Sequence, residues 1–589
     1  MDIPLIDYIA YNLAIESRVI ESIIKLLESF IYKPGYATRV GISMVASGSQ
    51  GRRISTPWIL SIVLLILLLS SWAYFLFSMR QTQQYSLATQ PDTLVIAQDI
   101  SDAVSMDPAV AYEFTSVLVV NQVYDKLVDI EPPDLTKIVP VVAESWSVSP
   151  DGILWTFKIR QGIKFANGDP LDAKAVEYSL RRVIILSKTP AWLLQQFIAK
   201  PEDIVATDSY TVTIKLKEKV APDLFLTVLA FTTSAIVNPK EVETHVSGND
   251  MGSTWLTDHS AGSGPYILAK WDRNSQIVLK ANPNYWRGKP AIDTIIIKHV
   301  PEPATQRLLL EKGDVDIAFG LTIDLIDQIK DKPGIRVMSY PVLQLAYIGM
   351  NVNNKYLSDE RVRTAIKYAI DYDGIIKDIL RGGAMKVQTI IPYPLLGFNP
   401  STPFYRDINK AKQLLAEAGY ANGFEIELAY PAGAHPQEEI AQKIQRDLGD
   451  VGIRVVLRPT AASEMYQRYR QQALQMVLAG WGSDYPDPDN NAKAFGNYRI
   501  KQLAWRNMWY DNTSADLVER AFRESDRASR EALYKQLTEY ILQHGPYVVL
   551  YQVVQHVAMR TWVENFVPDP SFGTYLHLYK VYKEAVVSR

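Results

Sequence analysis

Apolar and polar residues are mixed along most of the chain, but Trp58 to Phe77 is an almost unbroken apolar run. As a helix it would be about 30 Å long, which is enough to cross a bilayer. Arg52 and Arg53 precede the run and only Arg80 follows closely, so the positive-inside rule places everything after about Arg80 outside the cell. Because the run is long for a cleaved signal peptide, we expect an uncleaved signal anchor.

The residues before and after this run predict a cytoplasmic segment and a tether. Ala14 to Lys33 has apolar residues at helical spacing with charges between them, as in an amphipathic helix on a membrane or a partner. Alternatively Met44 is the true start, since Met44 to Phe77 alone has the layout of a signal segment. Gln81 to Pro91 is polar and lacks apolar periodicity, which is typical of a linker. We therefore expect a cytoplasmic part at 1–57, a transmembrane helix at 58–77 and a linker at 78–91.

Beyond the linker, the hydrophobic period changes repeatedly between that of a strand and that of a helix. The pattern predicts strands at Thr93 to Gln98, Leu154 to Arg160, Thr211 to Leu216, Ile295 to His299, Val315 to Phe319, Phe424 to Tyr430, Ile453 to Leu457 and Met476 to Ala479. It predicts helices at Ala111 to Tyr124, Leu171 to Arg182, Ala304 to Lys312, Glu360 to Ile370, Lys410 to Ala418 and Glu438 to Leu448. This alternation favours an α/β fold with parallel or mixed sheets between helices.

Length, charge and composition exclude several classes of function. A chain of 589 residues should form two or three domains. The net charge of −3 without a long basic run makes nucleic acid an unfavourable partner. Cysteine is absent and seven histidines are scattered, so thiol chemistry is excluded and metal ligands are few. The chain has no His-Glu-x-x-His, no Gly-x-Ser-x-Gly and no phosphate loop, so we expect no catalytic residues, cofactor or metal.

The best candidate site follows the predicted strand Met476 to Ala479. Trp481 and Tyr485 flank one carboxylate, Asp484, with Gly482 and Pro486 in the turn. A carboxylate between aromatic faces attracts an ammonium strongly where water is excluded. The plainer alternative makes the two aromatics core residues and the aspartates turn formers. A calcium loop at Asp484, Asp487 and Asp489 is disfavoured because the spacing is not that of an EF-hand.

Several motifs, in this order, resemble those of the family 5 extracellular solute-binding proteins, the dipeptide and oligopeptide receptors of ABC importers. They are Glu144 to Arg160 with Lys164 to Pro170, Gly262 to Tyr266 with Asn282 to Gly288, Arg361 to Asp371, Lys410 to Phe424, and Gly480 to Pro488. The resemblance runs from about Thr93 to the C-terminus. We interpret Gly262 and Gly264 as flexible backbone where two lobes meet.

The resemblance implies a two-lobed periplasmic-binding-protein fold, type II and cluster C, with an extra inserted domain. Lobe I would comprise 92–130, 236–341 and 546–589, the inserted domain 131–235, and lobe II 342–545. The chain would cross between lobes near Pro341 and again near Pro546. A ligand would be enclosed by hinge closure between the lobes.

By the same resemblance, Asp484 would bind the α-amino group of a peptide. The stretch Leu428 to Pro436 has no arginine of the kind that dipeptide-specific relatives use, so the resemblance does not extend to strict dipeptide specificity. The family also contains oligosaccharide binders. In that alternative Trp481, Tyr485 and Trp505 would stack on sugar rings, and the hydroxyl groups would be bound by Asp484, Asp487 and Asn490. Plain packing is the simpler explanation of Trp505.

The resemblance therefore predicts a non-enzymatic, monomeric receptor that delivers a peptide, or alternatively an oligosaccharide, to ABC permease subunits with separate ATPases. An exported hydrolase is a further alternative for which the chain offers no nucleophile and base. Many relatives are anchored by a lipidated cysteine, which is missing here. Anchoring would depend on Trp58 to Phe77, as a single-pass cell-membrane protein with its binding domain outside.

Overall fold

The computed structural model describes residues 91–571 and 573–584. The predicted cytoplasmic segment and transmembrane run lie outside these residues, as does nearly all of the linker. Within the described ranges, no helix is both long and apolar enough to cross a bilayer. The membrane anchor at Trp58 to Phe77 therefore stays a prediction.

The strands are numbered in chain order. They are β1 (Thr93–Gln98), β2 (Val128–Glu131), β3 (Asp134–Pro140), β4 (Ala143–Val148), β5 (Leu154–Ile159), β6 (Ile204–Asp208), β7 (Thr211–Lys215), β8 (Tyr266–Asp272), β9 (Gln276–Ala281), β10 (Thr294–His299), β11 (Ile317–Ala318), β12 (Ile335–Met350), β13 (Ala384–Met385), β14 (Phe424–Pro431), β15 (Ile453–Thr460), β16 (Met476–Gly482), β17 (Tyr547–Arg560), β18 (Val563–Glu564) and β19 (Tyr582–Lys583). All eight predicted strands are present, the first of them at the predicted residues.

The α-helices lie mainly between these strands. They span Phe114–Val123, Ala173–Leu186, Trp192–Gln195, Pro222–Leu229, Pro239–Glu243, Ser253–Leu256, Pro303–Lys312, Ile323–Ile329, Glu360–Ala369, Tyr372–Gly374, Ile408–Glu417, Gln437–Gly449, Ala462–Arg470, Pro488–Gly496, Leu503–Arg506, Asn512–Arg523 and Arg527–His544. The six predicted helices are confirmed with small shifts at their ends. The second begins at Ala173 because Asp172 accepts a hydrogen bond from the Ala175 N–H as its N-cap.

One large mixed sheet organises the described chain. Its strand order is β15-β14-β16-β12-β17-β11-β1-β10-β9-β8, and β13 pairs with β17 at the side. The pairs β1–β10 and β14–β15 are parallel, whereas β12 is antiparallel to both β16 and β17. The predicted mixed sheet is therefore confirmed.

Two long strands, β12 and β17, run through both halves of this sheet. Ile335 to Pro341 pairs with Arg560 to Val554 beside β11, and Leu345 to Gly349 pairs with Gln552 to Tyr547 beside β16. The register shifts between Pro341 and Leu345. Pro341, a predicted crossing point, lies at this shift, whereas Pro546 precedes β17 by one residue. The limits of the lobes themselves stay a prediction.

A smaller four-stranded sheet, in the order β4-β5-β7-β6, is formed by residues of the predicted inserted domain. Its buried face packs Trp155 edge-to-face on Phe225, with ring centroids 5.0 Å apart. The helix Ala173–Leu186 packs on β6. Apolar residues of this region share one continuous core with those around β16, so this part of the chain is joined to the candidate site by packing.

The interpretation of Gly262 and Gly264 as flexible backbone is wrong. Both glycines are buried, and a Cβ added at Gly262 would lie 2.0 Å from the Val123 carbonyl oxygen. A Cβ on Gly264 would lie 2.6 Å from the Tyr124 nitrogen. The glycines therefore allow two backbone segments to pack closely, which local sequence cannot distinguish from flexibility.

A buried ion pair joins the loop after β1 to the helix Ala173–Leu186. The Arg182 guanidinium donates two hydrogen bonds to the Asp107 carboxylate, at 2.6 and 2.7 Å. The two side chains are 1% and 0% exposed. A buried ion that loses its partner is strongly destabilising, so this pair holds the two segments together.

We expect Asp107→Ala to lower the free energy of unfolding by about 3–5 kcal/mol, because it leaves the Arg182 guanidinium buried without a counter-charge. Urea titration of the fragment beginning near Thr93 measures the change. The control is Glu531→Ala, which removes a half-exposed pair with Lys535 and should cost less than about 1 kcal/mol. Equal losses in the two variants would contradict the role given to Asp107.

Candidate functional site

The candidate loop, which follows β16 and carries Asp484 and Tyr485, leaves the sheet at Gly482. Met476 to Ala479 is buried, and Gly482 is the last residue of the strand and is exposed. The Ser483 N–H then donates to the Leu343 carbonyl at 2.9 Å, next to the register shift in β12. The sequence change from a buried apolar run to glycine therefore places the loop beside the two long strands.

Asp487 is a structural residue of this loop. Its carboxylate accepts two hydrogen bonds from Arg530, at 2.7 and 2.8 Å, and the side chains are 4% and 2% exposed. It also accepts from the Asp489 N–H and so caps the helix Pro488–Gly496. The charge of this buried carboxylate is already neutralised by Arg530.

Asp489 is structural as well. It is fully buried, forms an ion pair with Lys493 at 2.9 Å, and accepts a hydrogen bond from the Tyr485 hydroxyl at 3.0 Å. Burial raises the pKa of Asp489, although the Lys493 ammonium acts in the opposite direction. Among the described residues there is no group of three or more metal-ligating side chains. Of the three aspartates that a calcium loop would use, Asp487 and Asp489 are already paired with cationic side chains.

Asp484 differs from its two neighbours because its partners are neutral. Its Oδ1 accepts a hydrogen bond of 2.7 Å from the Tyr112 hydroxyl, and its Oδ2 accepts one of 3.2 Å from the Asn490 side-chain amide. Burial, followed by the nearby Asp484 carboxylate, raises the pKa of Tyr112, so this phenol stays a neutral donor. The Asn490 side chain is itself oriented by the Trp481 indole N–H, at 3.3 Å.

A cavity of about 260 Å³ lies against Asp484. Its lining comes from the candidate loop, from the helix that follows and from the region of the smaller sheet. The lining residues are Trp192, Gln196, Trp481, Asp484, Tyr485, Asn490, Lys493, Ala494, Ile500 and Gln502. Trp192 contacts Tyr485 with ring centroids 6.4 Å apart, so two distant parts of the chain meet at this wall.

Of the five predicted site residues, the structure places Asp484, Trp481 and Tyr485 on this cavity. Gly482 lies beside them in β16, while Trp505 is half-buried in a short helix and is not among the lining residues. The sequence interpretation named Asn490 only as a partner for sugar hydroxyls, and it missed Tyr112 and Trp192. Tyr112 is 372 positions from Asp484 in the chain, and nothing in its local pattern links the two.

The arrangement suits a small cation. A carboxylate has about four acceptor positions, and two neutral donors leave room for an ammonium. Hydrogen bonds between charged groups are roughly twice as strong as neutral ones. The nearby Trp481 face can add a cation–π contribution. A carboxylate with open acceptor positions beside an aromatic face supports the binding of a cation.

The two halves of the sheet joined by two crossing strands define the class as a two-lobed α/β binding protein. HbpA2 from Haemophilus parasuis matches with a TM-score of 0.75 at 27% identity, covering 84% of this chain and 100% of that one. DppA from Helicobacter pylori, solved with the peptide STSA, matches with a TM-score of 0.67 at 28% identity, covering 84% and 98%.

Residues 137–501 match the model of the bacterial extracellular solute-binding proteins, family 5, and the chain belongs to this family. A curated relative is the probable D,D-dipeptide-binding periplasmic protein DdpA of Escherichia coli. It is 30% identical over 492 residues, which are 82% of this chain and 93% of that protein. The resemblance of the motifs to this family is thereby confirmed.

Asp487 and Asp484 should respond differently to removal of their charge. We expect Asp487→Asn to lower the free energy of unfolding by about 3–5 kcal/mol, because Arg530 would stay buried without its carboxylate. We expect Asp484→Asn to change it by less than about 1 kcal/mol, since its partners are neutral and the residue is half-exposed. Denaturant unfolding of both variants decides this. A large loss for Asp484→Asn would show that Asp484 is structural.

Proposed function

We propose that this chain is an extracytoplasmic receptor that captures peptides with a free amino terminus and delivers them to an ABC permease. The observation that carries the proposal is the Asp484 carboxylate, which is held by two neutral donors beside Trp481 and a cavity. The α-ammonium group of a peptide would supply the positive counter-charge that Asp484 does not receive from its neutral partners. Asp484, Trp481, Tyr485 and Gly482 form the binding site, with Tyr112 and Asn490 positioning the carboxylate.

The rest of a peptide would be held mainly through its backbone. Gly482 is the exposed last residue of β16, and an extended peptide can pair with main-chain groups at such a position. Backbone hydrogen bonds do not depend on side chains, so they suit a receptor for peptides of varied sequence. The stretch Leu428 to Pro436 has no arginine for a dipeptide carboxylate, which favours longer peptides.

The names of similar proteins support this ligand class. Two similar proteins each match more than four-fifths of this chain. They are the probable D,D-dipeptide-binding protein DdpA and the Helicobacter pylori DppA that was solved with a peptide. The second of these is described as ABC transporter-associated. A permease with separate ATPase subunits is the corresponding partner for this chain, which has no phosphate loop of its own.

Binding would act by shifting a conformational population. Tyr112 belongs to the predicted lobe I, Trp192 to the inserted domain and Asp484 to lobe II, and all three side chains meet at one place. A ligand that contacts all three parts favours the arrangement in which they are close. The permease would then distinguish the loaded receptor by this arrangement, and the chain itself acts as a monomer.

We expect Asp484→Asn to weaken a peptide with a free amino terminus by on the order of 1.5–3 kcal/mol, which is roughly a ten- to hundredfold rise in Kd. The same peptide with an acetylated amino terminus should bind the two proteins almost equally, because it presents no ammonium. Calorimetry of the fragment beginning near Thr93 with a pool of tri- to pentapeptides, acetylated or free, measures both. Asp331→Asn, at an exposed position, is the charge-matched control.

Two outcomes would contradict this assignment. Equal weakening of free and acetylated peptides by Asp484→Asn would make the residue structural. Binding of malto- or cello-oligosaccharides without any binding of peptides would keep the receptor and its permease but convert Trp481 and Tyr485 into stacking platforms for sugar rings. In that case Asp484 would accept hydrogen bonds from hydroxyl groups.

The receptor would be held at the membrane by the apolar run Trp58 to Phe77, with the described region outside. We expect the full chain to sediment with membranes in high salt and in carbonate, and a chain beginning near Thr93 to remain in the supernatant. The physical reason is the length of the run, about 30 Å as a helix. Release of the full chain by carbonate would contradict an integral anchor, and a shortened native protein would indicate cleavage.

A further inference from the structure

The region of the smaller sheet contacts the helix Asn512–Arg523 through one aromatic side chain, Phe522. The Phe522 ring stacks on that of Phe197, with centroids 6.3 Å apart and planes at 6° to each other. Phe197 in turn packs edge-to-face on Phe225, and the three rings belong to one buried core. The Ala221 N–H donates to the Phe522 carbonyl at 2.8 Å, so a backbone hydrogen bond crosses the same place. We refer to these interactions together as the Phe522 contact.

Two ion pairs lie at the rim of the Phe522 contact. Arg523 pairs with Glu218 at 2.7 Å, and Arg527 pairs with Asp223 at 2.6 Å. Each of the four side chains is between 42% and 50% exposed. Because exposed ion pairs contribute little stability, their charges can separate into water at low cost. The rim therefore aligns the two surfaces without joining them permanently.

The attachment of the same region to the loop after β1 is of a different kind. It includes the ion pair between Arg182 and Asp107, whose side chains are 1% and 0% exposed. Breaking a buried pair of this kind is strongly unfavourable. The region is therefore fixed at one end by buried charges, whereas an aromatic contact and exposed charges hold its other end.

The Phe522 contact is connected to the candidate site by Lys493. The ammonium of Lys493 lies over the Phe522 ring, 4.0 Å from its centroid, and donates to the Gln196 side chain at 3.4 Å. Gln196 and Trp192 both line the cavity at Asp484. When the Phe522 contact is formed, two residues from the region of the smaller sheet therefore cover this cavity.

We propose that the Phe522 contact is a latch, and that 131–235 is a lid which must move away from the helix Asn512–Arg523 before a peptide enters or leaves the site. The proposal rests on the proposed function and names the regulation of that site. Every interaction of the latch is made between groups of this chain, so the latch forms without a peptide. Opening it withdraws Trp192 and Gln196 from the cavity, while Asp484 stays on its loop after β16. Phe522 and Lys493 are thus positioning residues, since they contact the lid.

The first test bridges the latch chemically. The chain contains no cysteine, so Glu218→Cys combined with Arg523→Cys supplies the only two thiols, and a reducible bifunctional thiosulfonate links them in the full chain. The probe is a tritiated pool of tri- to pentapeptides with free amino termini. We expect a bridge formed before the pool is added to prevent binding, and a bridge formed afterwards to retain the peptides during gel filtration. Reduction of the bridge should restore exchange.

The matched control bridges Glu531→Cys to Lys535→Cys, which lie one turn apart within a single helix. That bridge crosses no boundary and should leave binding and release unchanged. Exchange of peptides at an undiminished rate in the protein bridged at 218 and 523 would overturn the lid. Bridging of this pair only in the presence of peptides would overturn a latch that forms without a ligand.

The second test needs no reagent and changes only the exposed rim. Arg527→Glu places a carboxylate opposite Asp223, so we expect both the association and the dissociation of the pool to become at least about threefold faster. Combining it with Asp223→Arg restores the attraction and should restore both rates. A variant that merely damaged the fold would bind more slowly, not faster, and would not be rescued.

Two further outcomes separate the latch from the proposed function. Unchanged rates in Arg527→Glu, or no recovery in the reversed pair, would overturn the role of the rim. Failure of the unbridged wild-type chain to bind any peptide would overturn the proposed function. In that case the yield of bridging between positions 218 and 523 without peptide would still confirm or contradict the formation of the latch.

Discussion

The architecture depends on the pairing of β12 with β17. These two antiparallel strands are shared by both halves of the large sheet, and the irregular stretch between Pro341 and Leu345 lies between the two paired segments. Continuous backbone hydrogen bonding resists stretching and shear, whereas a register shift bends and twists the strand locally, and this pair has a second shift between Ala346 and Tyr347. The candidate loop leaves β16 beside the first of these shifts, with the Ser483 N–H on Leu343.

In the proposed binding site, the charges of the candidate loop would leave one carboxylate, that of Asp484, for a ligand. Asp487 is neutralised by Arg530 and Asp489 by Lys493, both within the same part of the chain. Asp484 is positioned only by a phenol and an amide. If Asp484 had a cationic partner as well, a ligand ammonium would have to displace it and would gain little. The two buried ion pairs stabilise the loop, and the neutral partners of Asp484 keep its charge available.

Much of the fold could be predicted because hydrophobic periodicity is a local property. The strand at Thr93 to Gln98 follows from a short apolar run, and the end of the helix Pro303–Lys312 follows from the capping residue Gly313. The close packing of Gly262 on Val123 could not be predicted, since it depends on a segment about 140 positions away. For the site, the aromatic and acidic cluster pointed to Asp484. No local pattern could have indicated its partner Tyr112 or the cavity residue Trp192, because both come from distant segments. The different roles of the three nearby aspartates could not be predicted either, since they depend on which aspartate contacts an arginine or a lysine in the fold.

The way in which the site is assembled also constrains its energetics. Tyr112, Trp192 and Asp484 come from three distant segments of the chain, so a ligand touching all of them would gain contacts only while these segments are close together. The free energy available to shift the population is the difference between the ligand's binding free energy in this arrangement and its binding free energy in any more open one. An ammonium on Asp484 alone contributes little to that difference, because the carboxylate belongs to one region. Groups that reach across, such as a peptide backbone lying between β16 and the segment around Tyr112, contribute most. If Asp484 binds the peptide ammonium as proposed, affinity and conformational change would depend on different atoms of the same ligand, and such a receptor would accept many peptides at Asp484 while only those of sufficient length shifted its conformation.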